Sequence, residues 1–315
     1  MSAAERQIPV GVVGVGHLGR HHARLWAAHP GARLVAVADL DLERARAIAA
    51  QFECEAVRDP RELFGRIEAA SVAVPTKAHA EVGGQLLEAG IDVLIEKPLA
   101  TTLAEADLIN ATAKRFSRLV MVGHSERFNP AVVALSGEVS RPRFFEIHRL
   151  AVFSARSTDI DVVLDLMIHD LDLLLHFDGT EPVSVDAVGV GALTDRVDIA
   201  NARIRLESGC VANLTASRIS PEPVRRLRVF QAQTYLVCDT VRRELERYRL
   251  VVDDVKGPQI RREQVAVVEA EPLALEIGAF LDSVKSRSVP PIDGIQGRRV
   301  LELAHRVRAA IDAGP

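Results

Sequence analysis

The chain has 315 residues, longer than the ~100–200 residues of one domain, so two domains are expected. Hydrophobic residues make up 48% and charged residues 26%, a globular composition that excludes disorder as the main state. A net charge of -4 supplies no basic field for nucleic acid, and no apolar run reaches the ~20 residues of a membrane span.

Cys54, Cys210 and Cys238 are too scattered for a disulfide framework or a paired zinc site, and residues 1–9 hold no apolar leader core. A reduced, cytoplasmic setting is therefore expected. In chain order, residues 9–15 (PVGVVGV) predict a strand and 17–29 a helix. Strands at 33–38, 70–74, 92–95 and 119–122 then alternate with helices at 42–51, 80–89 and 103–114. This alternation predicts a doubly wound parallel sheet, a Rossmann arrangement over residues 1–123.

From 124 to 315 the pattern changes. A helix at 130–139 and a strand at 143–153 precede a very apolar helix at 162–177. Strand-like runs follow at 183–190, 200–206, 210–217, 227–229 and 235–237, which predict an open, mostly antiparallel sheet in an α+β domain. Helices at 274–285 and 295–310 close the chain and are expected to pack back on the first domain.

Gly14, Gly16 and Gly19 form G-V-G-H-L-G between the first strand and helix, and Asp39 ends the second strand about 20 residues on. This spacing fits a dinucleotide whose pyrophosphate sits on the helix N-terminus. Asp39 would accept from the adenosine ribose hydroxyls and repel a 2′-phosphate, which favours NAD over NADP, although Arg20 and Arg44 stand near enough to meet a phosphate. His17, His21 and His22 are read as surface or pyrophosphate-edge residues.

Glu96-Lys97-Pro98 terminates the strand at 92–95, at the sheet edge where such folds place ligands, and Lys97 there could hydrogen-bond a reacting hydroxyl. The helix at 162–177 carries Asp165, His169, Asp172 and His176 at spacings of four, three and four. Those spacings predict one polar stripe on an otherwise apolar helix. His169 suits a general acid/base and Asp165 would orient it, while Asp172 and His176 are read as deeper structural members. A satisfied hydrogen-bond network is the competing reading. A metal is not expected, because no second ligand cluster accompanies the stripe.

The glycine turn, Asp39, E-K-P and D-L-M-I-H-D-L-D together resemble the glucose-fructose oxidoreductase / inositol dehydrogenase / rhizopine catabolism (Gfo/Idh/MocA) family over almost the whole chain. The resemblance implies an NAD-dependent oxidoreductase that oxidises a sugar hydroxyl to a ketone by hydride transfer, with Lys97, Asp165 and His169 meeting at the nicotinamide. It also implies a homodimer or homotetramer formed through the second domain's sheet. Met167 stands where many relatives have glycine. Expected cofactor contacts are Gly14, Val15, Gly16, His17, Leu18, Gly19, Asp39, Pro75, Thr76, His79, Glu96 and Lys97.

Residues 123–130 (GHSERFNP), the acid and histidine helix and residues 198–218 resemble a narrower group acting on the 3-hydroxyl of UDP-N-acetylglucosamine. Arg127, Arg149, Arg156 and Arg218 are then candidates for the substrate diphosphate, since guanidinium forks match phosphate oxygens. The alternatives are another sugar, polyol or cyclitol dehydrogenase, an NAD-recycling glycosidase, or a non-catalytic dinucleotide sensor.

Overall fold

The computed structural model describes residues 6–154, 160–253 and 257–314. Its first sheet has six strands in the order β3-β2-β1-β4-β5-β6, and every pair in it is parallel. The elements are β1 (Ile8–Val13), α1 (Gly19–Ala28), β2 (Ala32–Ala38), α2 (Leu42–Phe52), β3 (Glu55–Val57), β4 (Ala69–Val72), α3 (His79–Glu88), β5 (Asp92–Glu96), α4 (Leu103–Phe116) and β6 (Val120–Gly123). Strands β4, β5 and β6 are buried along their whole length, which is why they read as unbroken apolar runs rather than alternating ones. Two of these helices, α2 and α4, begin where side chains take up orphan amides. Asp41 accepts from the Arg44 amide at α2, and Thr102 with Glu105 forms a capping box at α4. The order turns at β1 and β4, whose carboxyl ends flank the crevice in which doubly wound sheets hold ligands.

The second sheet has eight strands. It follows α5 (Pro130–Ser136), β7 (Phe144–Leu150) and α6 (Ile168–Asp178), and continues with β8 (Pro182–Val190), β9 (Ile199–Leu206), β10 (Val211–Ser217), β11 (Val224–Gln231), β12 (Thr234–Asp239), β13 (Glu244–Asp253) and β14 (Gly257–Val265). The order is β14-β13-β12-β11-β7-β10-β9-β8, with β7 and β10 parallel and the other paired strands antiparallel. Alternation divides its faces. In β9, Ala200, Ala202, Ile204 and Leu206 are buried, whereas Asn201, Arg203 and Arg205 are exposed.

On the face opposite the buried one, a row of rings crosses four strands. Phe144, Phe230, Tyr235 and Tyr248 stand in register, with successive ring centroids 5.5, 4.6 and 5.2 Å apart. These side chains are half-buried. Beside the row, Arg228 pairs with Glu146 at 2.9 Å.

Helices α7 (Pro272–Ser286) and α8 (Gly294–Ala313) end the chain. Residues 1–125 and 273–301 make one compact unit, and residues 126–272 with 302–315 make the other. Within the first, Phe280 of α7 meets the fully buried Trp26 ring edge-on at 6.3 Å, and the Val122 amide donates to the Ile292 carbonyl at 2.9 Å. Three strands escape the sequence patterns: β3, β13 and β14. The helix expected over 162–177 opens instead as a π-helical turn, Val163–Met167, before α6 begins.

Candidate active site

The glycine loop is tight at both ends and open in the middle. Gly14 has φ +82°, and a Cβ there would lie 2.7 Å from the Ala73 carbonyl oxygen. A Cβ on Gly19 would lie 1.7 Å from the Gly14 oxygen, so helix α1 packs directly on the turn. Gly16 faces open space, with nothing within 4 Å of a Cβ. Helix α1 starts without a side-chain cap, and His17 and Leu18 are exposed at the rim. Backbone amides, an uncapped helix end and room at Gly16 fit a dinucleotide's diphosphate.

Asp39 closes β2 with its carboxylate turned to the loop. Its Oδ2 accepts the Val15 amide at 2.9 Å, its Oδ1 accepts the Asp41 amide at 2.9 Å, and Arg44 Nη1 stands 3.4 Å from Oδ2. Oδ1, with a single donor, keeps a lone pair for a hydroxyl. Exposed Pro75 and half-buried Thr76 follow β4 at the same sheet edge.

Lys97 is half-buried directly after β5, and its peptide bond to Pro98 is cis. Glu96 Oε1 accepts from His22 Nε2 at 2.8 Å, and its Oε2 accepts the Lys97 amide at 3.2 Å. Burial works to raise the Glu96 pKa, but the His22 bond and charge and the Lys97 charge hold it below the usual carboxylate value. The ring nitrogens of His79 each lie 2.9 Å from a carbonyl oxygen, of Pro98 and of Val74. His22, expected at the surface, is fully buried between Ser71 and Glu96.

In the second unit, Asp165 lies in the π-helical turn and His169 in the first turn of α6, both half-buried. A π turn inserts one residue into the helical repeat and recurs at functional sites. It breaks the single-face spacing expected of the four polar residues. Asp172 is fully buried and receives Arg127 Nε and Nη2 at 2.8 and 2.6 Å, whereas His176 is exposed rather than deep.

Three of the four arginines expected at a substrate diphosphate are paired with carboxylates. Arg149, 3% exposed, grips Asp170 through Nε and Nη2, the closest approach being 2.7 Å, and reaches Glu126 at 2.9 Å. Burial works to raise the Glu126 carboxyl, but Arg149 and then Arg225 hold it below its usual value. Arg218 donates to Asp198 at 2.9 Å, to the Ile160 carbonyl at 2.7 Å and to Thr194 at 3.0 Å. Carboxylates take the forks of Arg127, Arg149 and Arg218, and these pairs fix the second unit internally. Arg156 lies outside the described residues. Arg127 and Arg149 together anchor α6 at Asp170 and Asp172, just past His169.

Among the described residues, no group of three or more His, Cys, Asp and Glu side chains is arranged to hold a metal. Burial pushes Cys54 up to about 11 and Cys210 up to about 12, so neither is a ready thiolate nucleophile. No helix among the described residues is long and apolar enough to cross a membrane.

Known proteins carry the same frame. Residues 8–124 match the model of an oxidoreductase family with an NAD-binding Rossmann fold, and residues 131–236 match the GFO/IDH/MocA C-terminal domain. A UDP-N-acetylglucosamine 3-dehydrogenase from Acidithiobacillus ferrooxidans is 42% identical over 96% of this chain and 97% of its own. A solved structure of a UDP-N-acetylglucosamine 3-dehydrogenase from that organism superposes with TM-score 0.91 at 40% identity, covering 98% of each chain. A myo-inositol 2-dehydrogenase from Thermotoga maritima is 26% identical over 96% of both chains. Glycine loop, E-K-P turn and acid and histidine helix thus stand within a frame matched nearly end to end, and the chain belongs to the Gfo/Idh/MocA family of NAD-binding oxidoreductases.

Proposed function

We propose that this protein oxidises the 3-hydroxyl of UDP-N-acetylglucosamine, using NAD in preference to NADP. The observation that carries the substrate is the 42% identity to a UDP-N-acetylglucosamine 3-dehydrogenase along 96% of this chain. Asp39 supports the cofactor preference, because a carboxylate at the end of β2 welcomes ribose hydroxyls and opposes a phosphate.

In this reading residues 1–123 bind the dinucleotide, and residues 124–315 bind the sugar and self-associate. The loop from Gly14 to Gly19 holds the diphosphate on the N-terminus of α1, and Pro75 and Thr76 line the same edge. When bound, the nicotinamide accepts a hydride from the sugar carbon. His169 takes the hydroxyl proton, Lys97 polarises that hydroxyl, and Asp165 orients the imidazole or a neighbouring hydroxyl. The ring row on the second sheet supports a homodimer or homotetramer formed through that face, since half-buried rings aligned across four strands offer aromatic surface for association. The scattered, unpaired thiols support a cytoplasmic setting.

Purified protein incubated with NAD and UDP-N-acetylglucosamine, with an amine donor and aminotransferase to draw off the ketone, tests the reading. The expected result is a two-hydrogen mass loss in the sugar nucleotide with matching NADH. His169→Ala should lower turnover by ~10²–10⁴-fold while NAD binding survives. Bound NAD with no oxidation of this sugar, alongside turnover of a cyclitol, would move the substrate to the inositol-type relatives.

A further inference from the structure

Four side chains from three elements of the first unit form a buried line of hydrogen bonds ending at Lys97. Trp26 Nε1, on α1, donates to Ser71 Oγ at 2.8 Å, and Ser71 Oγ lies 3.0 Å from His22 Nδ1. His22 Nε2 then meets Glu96 Oε1 at 2.8 Å, and the second Glu96 oxygen accepts the Lys97 amide at 3.2 Å. Ser71 Oγ, which accepts from the indole, keeps both a second lone pair and its own hydrogen for His22 Nδ1. Glu96 thus stands between the imidazole and the Lys97 amide, with one of these nitrogens on each of its oxygens.

Trp26, Ser71 and His22 are all 0% exposed, and Glu96 is 9% exposed. Polar groups cost free energy to bury, so a turn that needed only packing would be built more cheaply from apolar residues. The surroundings close on the same point. A Cβ on Gly123 would lie 3.1 Å from Glu96 Oε2, and on the far side His79 holds the Pro98 carbonyl at 2.9 Å. The turn is thus held through its first residue and its third, which fixes the direction in which the Lys97 side chain leaves the backbone.

We propose that His22 and Glu96, backed by Ser71 and Trp26, are positioning residues that aim the Lys97 ammonium at the sugar hydroxyl. The inference rests on the assignment of Lys97 to the reaction made above. It separates two jobs within the glycine-loop helix, whose first turn meets the dinucleotide while its second turn serves the lysine.

The test uses the full chain, with His22→Phe to keep a ring and remove both nitrogens, and Glu96→Gln as a milder variant should the first not fold. The chain has five lysines, so reductive methylation with ¹³C-formaldehyde gives a sparse NMR spectrum in which Lys97→Met identifies the Lys97 signal. In His22→Phe or Glu96→Gln that signal should shift while the other four stay in place, with or without substrate. An unmoved Lys97 signal, or movement of all five, overturns the proposal. With NAD and UDP-N-acetylglucosamine, kcat should fall on the order of 10–100-fold, as misaligned reacting groups do, while KM and the NAD dissociation constant hold within about twofold. Adding His22→Phe to Lys97→Met should cost nothing further. A full additional loss in the double variant, or weakened NAD binding in step with kcat, also overturns it. Wild-type turnover in Lys97→Met alone would instead remove Lys97 from the reaction, a failure of the underlying assignment that is read without any His22 variant.

Discussion

Asp39 Oδ2 accepts the backbone N–H of Val15 at 2.9 Å, so the residue that closes the second strand also fixes the middle of the glycine loop. Asp39→Ala should therefore weaken both dinucleotides, NAD the more, because the variant loses the ribose acceptor and relieves the repulsion of a 2′-phosphate. A charge-assisted hydrogen bond of ~1.5–3 kcal/mol predicts roughly 10–100-fold in NAD affinity. Arg44, 3.4 Å from the same carboxylate, would then be released toward a phosphate. Fluorescence titration with NADH and NADPH measures both, and equal losses for the two would remove the carboxylate from cofactor choice.

Two glycines of one loop should respond oppositely to alanine. Gly16 has open space where a methyl would go, so Gly16→Ala should melt as the wild type does yet bind NAD less tightly, the methyl occupying room meant for the diphosphate. In Gly19→Ala the new carbon falls 1.7 Å from a backbone oxygen, and thermal stability should drop along with affinity. Differential scanning calorimetry beside the NADH titration checks the contrast. A stability loss at Gly16 equal to that at Gly19 would contradict it.

Asp198 gives the second unit a defined acid response. Fully buried, it accepts from the Leu193 and Thr194 amides at 2.7 and 2.8 Å and from Arg218 at 2.9 Å. Burial works against the charged form, but these donors hold its carboxyl well below the ordinary value of 3.8. A depressed folded-state pKa contributes stability that is complete above the unfolded value and is lost as pH falls toward the folded one. Asp198→Asn should accordingly be less stable at neutral pH, and its gap from the wild type should shrink below pH 3.8. Urea unfolding across that range is the measurement, and a gap that widens in acid would reverse the sign.

Tyr235 sits mid-row on the open sheet, 4.6 Å from Phe230 and 5.2 Å from Tyr248 between ring centroids. If this face joins copies of the chain, Tyr235→Glu breaks the ring row with a charge and should lower the mass seen by light scattering, leaving the circular dichroism unchanged. An assembly that keeps its mass would place the contact elsewhere.

What could be read from the sequence is what local chemistry encodes at fixed offsets. The three glycines, Asp39 and the E-K-P turn need only a strand before and a helix after, and the apolar runs of the first sheet are continuous because those strands are buried. Features set by partners far along the chain stay hidden. His22 looks like a surface residue beside His17 and His21 until Ser71 and Glu96 arrive from 49 and 74 residues away. Arg149 and Arg218 suit a phosphate and a carboxylate equally well, and only the fold supplies Asp170 and Asp198. Periodicity cannot report the extra residue of the π turn at Val163–Met167, and β3 is three residues long, too short for any pattern.

The return of residues 273–301 to the first unit bears on how the protein is made. The ribosome finishes all six parallel strands before it has reached the second sheet, yet Val122 must wait for Ile292, and Trp26 for Phe280. A nascent chain halted after β6 carries an uncovered indole and an unpaired strand edge, both invitations to a chaperone or to aggregation. The first unit therefore closes its core only when the chain has been made well into its last helix.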